Sequence, residues 1–141
     1  MSTVTTDLPL NINVTEVATS VAGFVNVIAN NGFIYPITLA TGVSLTGSGS
    51  NTPGIKFYDG SLTTDSLGNT WAVSATFGSI WLVHSGAGSA LTTSVGYGSQ
   101  NTGYLDGPAN LSSFTIPYAV TINSFGHVLI GDGEYIRRLI P

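Results

Sequence analysis

Apolar and polar residues alternate along most of this chain with the period of two expected of half-buried β-strands, and no segment spaces helix formers at a helical interval. The clearest pairing signal is early. Phe24–Asn30 and Phe33–Ala40 are β-rich runs on either side of Asn31-Gly32, which predicts a hairpin closed by a two-residue type I′ turn. Ahead of it, Leu8, Leu10, Ile12 and Val14 fall on one face of an extended segment, and Pro9 argues against helix there. That segment reads equally as a first strand or as an arm reaching a neighbour.

Beyond the hairpin, the Gly- and Ser-rich residues 41–53 predict a surface loop. A strand resumes with Ile55 and Phe57 inward and closes on Asp59-Gly60, a second turn signal. Trp71, Val73, Ala75 and Phe77 share one face of the next strand, opposite Thr70, Ala72, Ser74 and Thr76. The run Ile80-Trp81-Leu82-Val83 is apolar on both faces, as in a central strand. After loops at 86–89 and 98–109, with a weaker strand at Leu91–Tyr97 between them, Phe114, Ile116, Tyr118, Val120 and Ile122 line one face of a final long strand. Pro117 makes that strand an edge or breaks it in two. Val128–Ile130 and Tyr135–Ile140 complete about eight or nine strands, which predicts an all-β antiparallel sandwich of jelly-roll type at residues 20–141 behind an extended N-terminal segment at 1–19.

Composition narrows the function. At 141 residues one domain with its own core is the default. Only 7% of residues are charged, and none lies between Val17 and Ile55 or between Ser66 and Leu105. A surface so poor in charge resists self-association weakly, so coverage by other copies or by another protein is expected. The net charge of −4, with Lys56, Arg137 and Arg138 the only cations, opposes nucleic acid as a partner. With no cysteine there is no disulfide or thiolate chemistry. The first residues carry neither a basic nor a long apolar stretch, so no signal peptide and no membrane span are expected.

Candidate chemistry is sparse, and neither a catalytic set nor a cofactor or metal site is expected. The seven acidic residues are scattered; Asp132 and Glu134 flank Gly133 and read as solvated turn residues. His84 and His127 have no Gly-x-Ser-x-Gly elbow to serve, and no phosphate-binding glycine motif occurs. Arg137 and Arg138 read as a solvated strand end that could meet acidic groups of a partner. Tyr58, Tyr97 and Tyr104 on loops are candidates for stacking on sugars.

Two resemblances follow from these motifs. Asp65-Ser66-Leu67-Gly68-Asn69 and Asn123-Ser124-Phe125-Gly126-His127 are alike, and the tail from Asp106-Gly107-Pro108 to Arg137 resembles a single NHL repeat, the four-stranded blade of one propeller class. The first half shows no convincing copy, so two similar turns between strands is the simpler account. Over more of the chain, the order Asn31-Gly32, Phe33–Leu39, Gly/Ser loop, Phe57-Tyr58-Asp59-Gly60, then Ile116-Pro117-Tyr118 resembles small β-sandwich virion proteins of tailed phages. That likeness implies a non-enzymatic decoration or cement protein, made in the host cytoplasm. Its partners would be the major capsid protein or another virion protein and its own copies, a trimer being favoured. Read from the residues themselves rather than from the likeness, the candidate partner contacts are Leu8, Leu10, Ile12, Val14, Tyr58, Tyr97, Tyr104, Arg137 and Arg138. The alternatives are a carbohydrate-binding fibre or tail domain, with surface glycans as ligands, and a propeller assembled from several chains.

Overall fold

The computed structural model describes residues 13–19, 24–38, 57, 59–85, 91–97, 102–108 and 111–141. Leu8, Leu10, Ile12, Tyr58 and the loops expected at 41–53 and 86–89 lie outside them. The described residues are all-β. Strands β1 (Val14–Thr19), β2 (Phe24–Ala29) and β3 (Ile34–Thr38) form a first sheet. β4 (Leu62–Thr64), β5 (Thr70–Ser74), β6 (Ser79–Ser85) and β7 (Leu91–Tyr97) form a second. β8 (Pro117–Ile122), β9 (Val128–Asp132) and β10 (Tyr135–Leu139) form a third, and every pairing is antiparallel.

The all-β, layered antiparallel expectation therefore holds. The connectivity is simpler than a jelly roll: in each sheet the hydrogen-bonded neighbours are neighbours in sequence, so each is a meander. Short turns explain this, because a strand that ends in a tight turn can only fold back beside itself.

The three sheets stack in chain order. Ile28 and Ile34 of the first sheet pack with Leu62, Ala72 and Val83 of the second around Phe57. On the other side of the second sheet, Trp71, Val73 and Ile80 pack with Val120, Val128 and Ile130 of the third, together with Phe114. The register accounts for the division: Ala72 lies opposite Trp81 and faces one cluster, while Trp71 opposite Leu82 and Val73 opposite Ile80 face the other. The second sheet is thus covered on both faces, and all five residues of β5 are buried. Alternation in the sequence sets Thr70 and Ser74 on the face opposite Trp71 and Val73 and runs the strand on to Phe77. The structure ends β5 at Ser74, Ala75 to Gly78 turn the chain, and both hydroxyl residues are buried, Thr70 against Asn26 of the first sheet and Ser74 beside Asp59, contacts that alternation cannot reveal.

Three hairpins share one backbone geometry. The N–H of Ala29 donates to the Phe33 carbonyl, that of Asp65 to Asn69 and that of Asn123 to His127. Within each, the N–H of Gly32, Gly68 or Gly126 donates back three residues, with φ of 77°, 88° and 79°. This is a three-residue loop closed by a left-handed glycine, not the two-residue type I′ turn expected at Asn31-Gly32. The two turns noticed as similar are joined by a third, in the half of the chain where no copy was expected.

Candidate functional site

Asp65 and Asn123 play one role in their turns. The Oδ1 of Asp65 accepts from the N–H groups of Leu67 and Asn69, and the Oδ1 of Asn123 from those of Phe125 and His127. Burial opposes ionisation of Asp65. Hydrogen bonds from the Asn69 side chain and backbone, the Trp71 indole and the Leu67 N–H more than offset it, holding the carboxyl below the ordinary aspartate range. A depressed folded pKa contributes stability above the unfolded value that is lost as pH falls through the folded one. Asp65→Asn keeps the turn acceptor, as Asn123 demonstrates. Its cost at neutral pH is expected to stay under about 1 kcal/mol because the group is largely solvent-accessible, and to vanish as the pH is taken below about 4. Urea unfolding at neutral and acid pH checks both.

Among the described residues, most of the exposed large apolar side chains lie on or beside the third sheet. Its outer members are held by one buried network. Asp132 is fully buried; its Oδ1 accepts from the N–H groups of Thr115 at 2.8 Å and Ile116 at 2.7 Å. Its Oδ2 accepts from Arg137 Nη1 at 3.1 Å. Arg137 also donates to the carbonyls of Ser113 and Leu105 and to Asp106 Oδ1, and its guanidinium lies 5.0 Å from the Phe114 ring centroid. Residues 105–106 and 113–116 are thereby tied to the sheet.

Asp132 is not the solvated turn residue the sequence suggested. A Gly133-Glu134 turn sets Tyr135 opposite Asp132 and puts Arg137, two residues on, in the diagonal position across the same face. Arg137 likewise is no solvated strand end: its acidic partners come from its own chain. Arg138, next in sequence, points the other way and is exposed.

The network presents two exposed features. At the β9–β10 turn, Tyr104 meets Tyr135 edge-on with centroids 4.7 Å apart, and the Tyr118 hydroxyl donates to the Gly133 carbonyl. Tyr104, the predicted sugar-stacking residue, is half-exposed, as are Tyr118 and Tyr135, which the sequence reading left out of the site. Along β10 runs a groove of ≈490 Å³ lined by Asp106, Ser112, Phe114 and residues 136–140. Ile136 is 83% and Ile140 65% exposed beside it.

The remaining predicted residues are dispersed. Val14 opens β1 and is partly exposed; Tyr97 ends β7, and its side chain is outside the described residues. The strand expected from Phe114 to Ile122 starts only at Pro117, on the sheet edge, and a bulge between Pro117 and Ala119 breaks the shared face. Phe114 is consequently buried while Ile116 and Tyr118 are exposed. Among the described residues no group of three or more His, Cys, Asp or Glu converges, and no helix is long and apolar enough to cross a membrane.

No protein-family model matches the chain, and no curated protein matches it. Among solved structures it is similar to a structural genomics protein of unknown function from Bacteroides thetaiotaomicron, with a TM-score of 0.68 and 18% identity. The match covers 90% of this chain but 33% of that one, so the chain spans about a third of its neighbour's length, and at this identity the likeness is one of fold.

Proposed function

We propose that this chain is a non-catalytic assembly module, a run of blade-like sheets that is completed by sheets or strands from other copies. The observation that carries the reading is the stacking order. Three meander sheets with the same hairpin turn pack face to face in sequence, so each sheet is a unit that needs a neighbour to cover its apolar residues. The third sheet and its flanks leave Ile116, Tyr118, Tyr135, Ile136 and Ile140 more than half exposed. Apolar exposure of this extent around one sheet marks an interaction surface. A structural neighbour carries the same fold within a longer chain.

A second reading, a virion decoration protein attached to a shell protein, is favoured by the charge-free stretches 17–55 and 66–105. It calls for the same self-association and adds capsid binding. Sedimentation velocity and electron microscopy test the shared requirement. A closed, concentration-dependent oligomer of radially arranged sheets is expected; a monomer persisting up to about 100 µM would remove the assembly reading.

A further inference from the structure

We infer that β10 receives a fourth strand, and that this strand is the segment around Leu8–Ile12 of a second copy of the chain. The inference rests on the assembly reading and specifies how it is made. The second and third sheets provide the comparison. Both begin with the same turn, between β4 and β5 and between β8 and β9, and both continue with one further antiparallel strand, β6 or β10. In the second sheet β7 then lies antiparallel against β6. In the third, β10 is the outermost of the described strands.

This edge, unpaired among the described strands, is equipped for pairing. Asp132 and Tyr135 flank a two-residue turn, so they form a hydrogen-bonded pair, and Tyr135, Arg137 and Leu139 direct their backbone groups to β9. By alternation the N–H and C=O groups of Ile136, Arg138 and Ile140 point away from the sheet. Exposed edges are normally guarded by charges. Here one of the two arginines is turned inward onto Asp132, leaving Arg138 alone among exposed isoleucines. The groove along this edge is open to an extended segment, and five paired residues span about 17 Å.

Pro9 selects the occupant's orientation. Lacking an N–H, it must face away from β10, which directs the backbone groups of Leu8, Leu10 and Ile12 toward the edge. Directly paired residues share a face. The same parity therefore lays Leu8, Leu10 and Ile12 beside Ile136 and Ile140, apolar on apolar, and leaves Asn11 on the face where Asp106 and Ser112 line the groove. The segment precedes β1 of the first sheet, and the second sheet stands between the first and third, so the partner edge belongs to another copy.

Proline substitutions in the full-length chain test this. Leu10→Pro removes a donor aimed at β10, Asn11→Pro removes one aimed away, and Arg138→Pro removes an outward donor at an edge where proline leaves the sheet intact. Ile136→Lys, which adds a guarding charge, is a second edge variant. Association is expected to weaken at least about tenfold in Leu10→Pro and in both edge variants, and to stay within about twofold in Asn11→Pro. Hydrogen exchange should show the amides of residues 136 and 138 protected only in the oligomer. A wild-type chain that associates while every variant associates equally well overturns this inference and leaves the assembly reading standing. A wild-type chain that never associates removes both. Sensitivity to Arg138→Pro without sensitivity to Leu10→Pro overturns the choice of occupant, and protection of β10 in a monomer overturns the second copy.

Discussion

Asp132→Ala is expected to destabilise the chain by about 3–5 kcal/mol, the range found when one partner of a buried ion pair is removed. The carboxylate is fully buried and answers three donors, the N–H groups of Thr115 and Ile116 and the Arg137 guanidinium. Deleting it leaves all three without that acceptor where the Thr115-Ile116 backbone meets the third sheet. The contrast with Asp106 decides which ion pair matters. Arg137 lies 2.6 Å from Asp106, closer than to Asp132, but the Asp106 side chain is 91% exposed against 0% for Asp132. Solvent screens the shorter contact, so Asp106→Ala should cost less than about 1 kcal/mol. Urea unfolding of the two variants measures the difference; equal costs would show that Asp132 is not the anchor. Hydrogen exchange should further place the loss at residues 105–106 and 113–116, which the network ties to β9 and β10.

The same network shows where sequence reading stops. Strands were legible because alternation is a local property, and Pro117 correctly marked an edge, since a missing N–H excludes a central position. Burial of a polar residue on the far side of a strand is not local. Thr70 is buried because Asn26 of the first sheet reaches it, donating from Nδ2 to Oγ1 at 2.6 Å, and nothing between residues 26 and 70 announces that contact. Asp132 was hidden for another reason. Aspartate beside glycine is the ordinary composition of a turn, and only after the turn is fixed does the diagonal relation to Arg137 become visible.

The repeated turn was half legible. Asp65 and Asn123 occupy the same place and are alike in sequence; the first turn has Ala29 there, whose side chain offers no acceptor to the backbone N–H groups. Its acceptor has moved to Asn31, whose Oδ1 takes the Phe33 N–H while Nδ2 donates to the Tyr35 hydroxyl. The backbone geometry is retained and the sequence signature is not. Periodicity of sheets can therefore outlast periodicity of residues, because the left-handed glycine and the length of the loop set the turn.

Gly60→Ala is expected to cost about 3 kcal/mol, although Gly60 lies outside the left-handed region and looks in sequence like an ordinary Asp-Gly turn. A Cβ there would stand 2.0 Å from the Val73 carbonyl oxygen, a backbone atom that cannot move aside alone. The clash falls where the chain enters β4: the Val73 N–H donates to the Ser61 carbonyl, and Leu62 then pairs with Ala72. Relief requires β4 to part from β5, which disturbs Phe57 in the first core cluster and the two hydrogen bonds that Thr76 donates to Asp59. Forced overpacking of a filled site costs about 1–3 kcal/mol and more where backbone must shift. Gly126→Ala is the control. It has a φ of 79° but nothing within 4 Å of an added Cβ, so it should cost about 1–2 kcal/mol from backbone strain alone. Denaturation midpoints that place Gly60→Ala at or above Gly126→Ala would mean that β4 and β5 are not in the close approach described. The expected ranking would make the junction of β4 and β5 the point where the sheet shared by both core clusters tolerates no added atom.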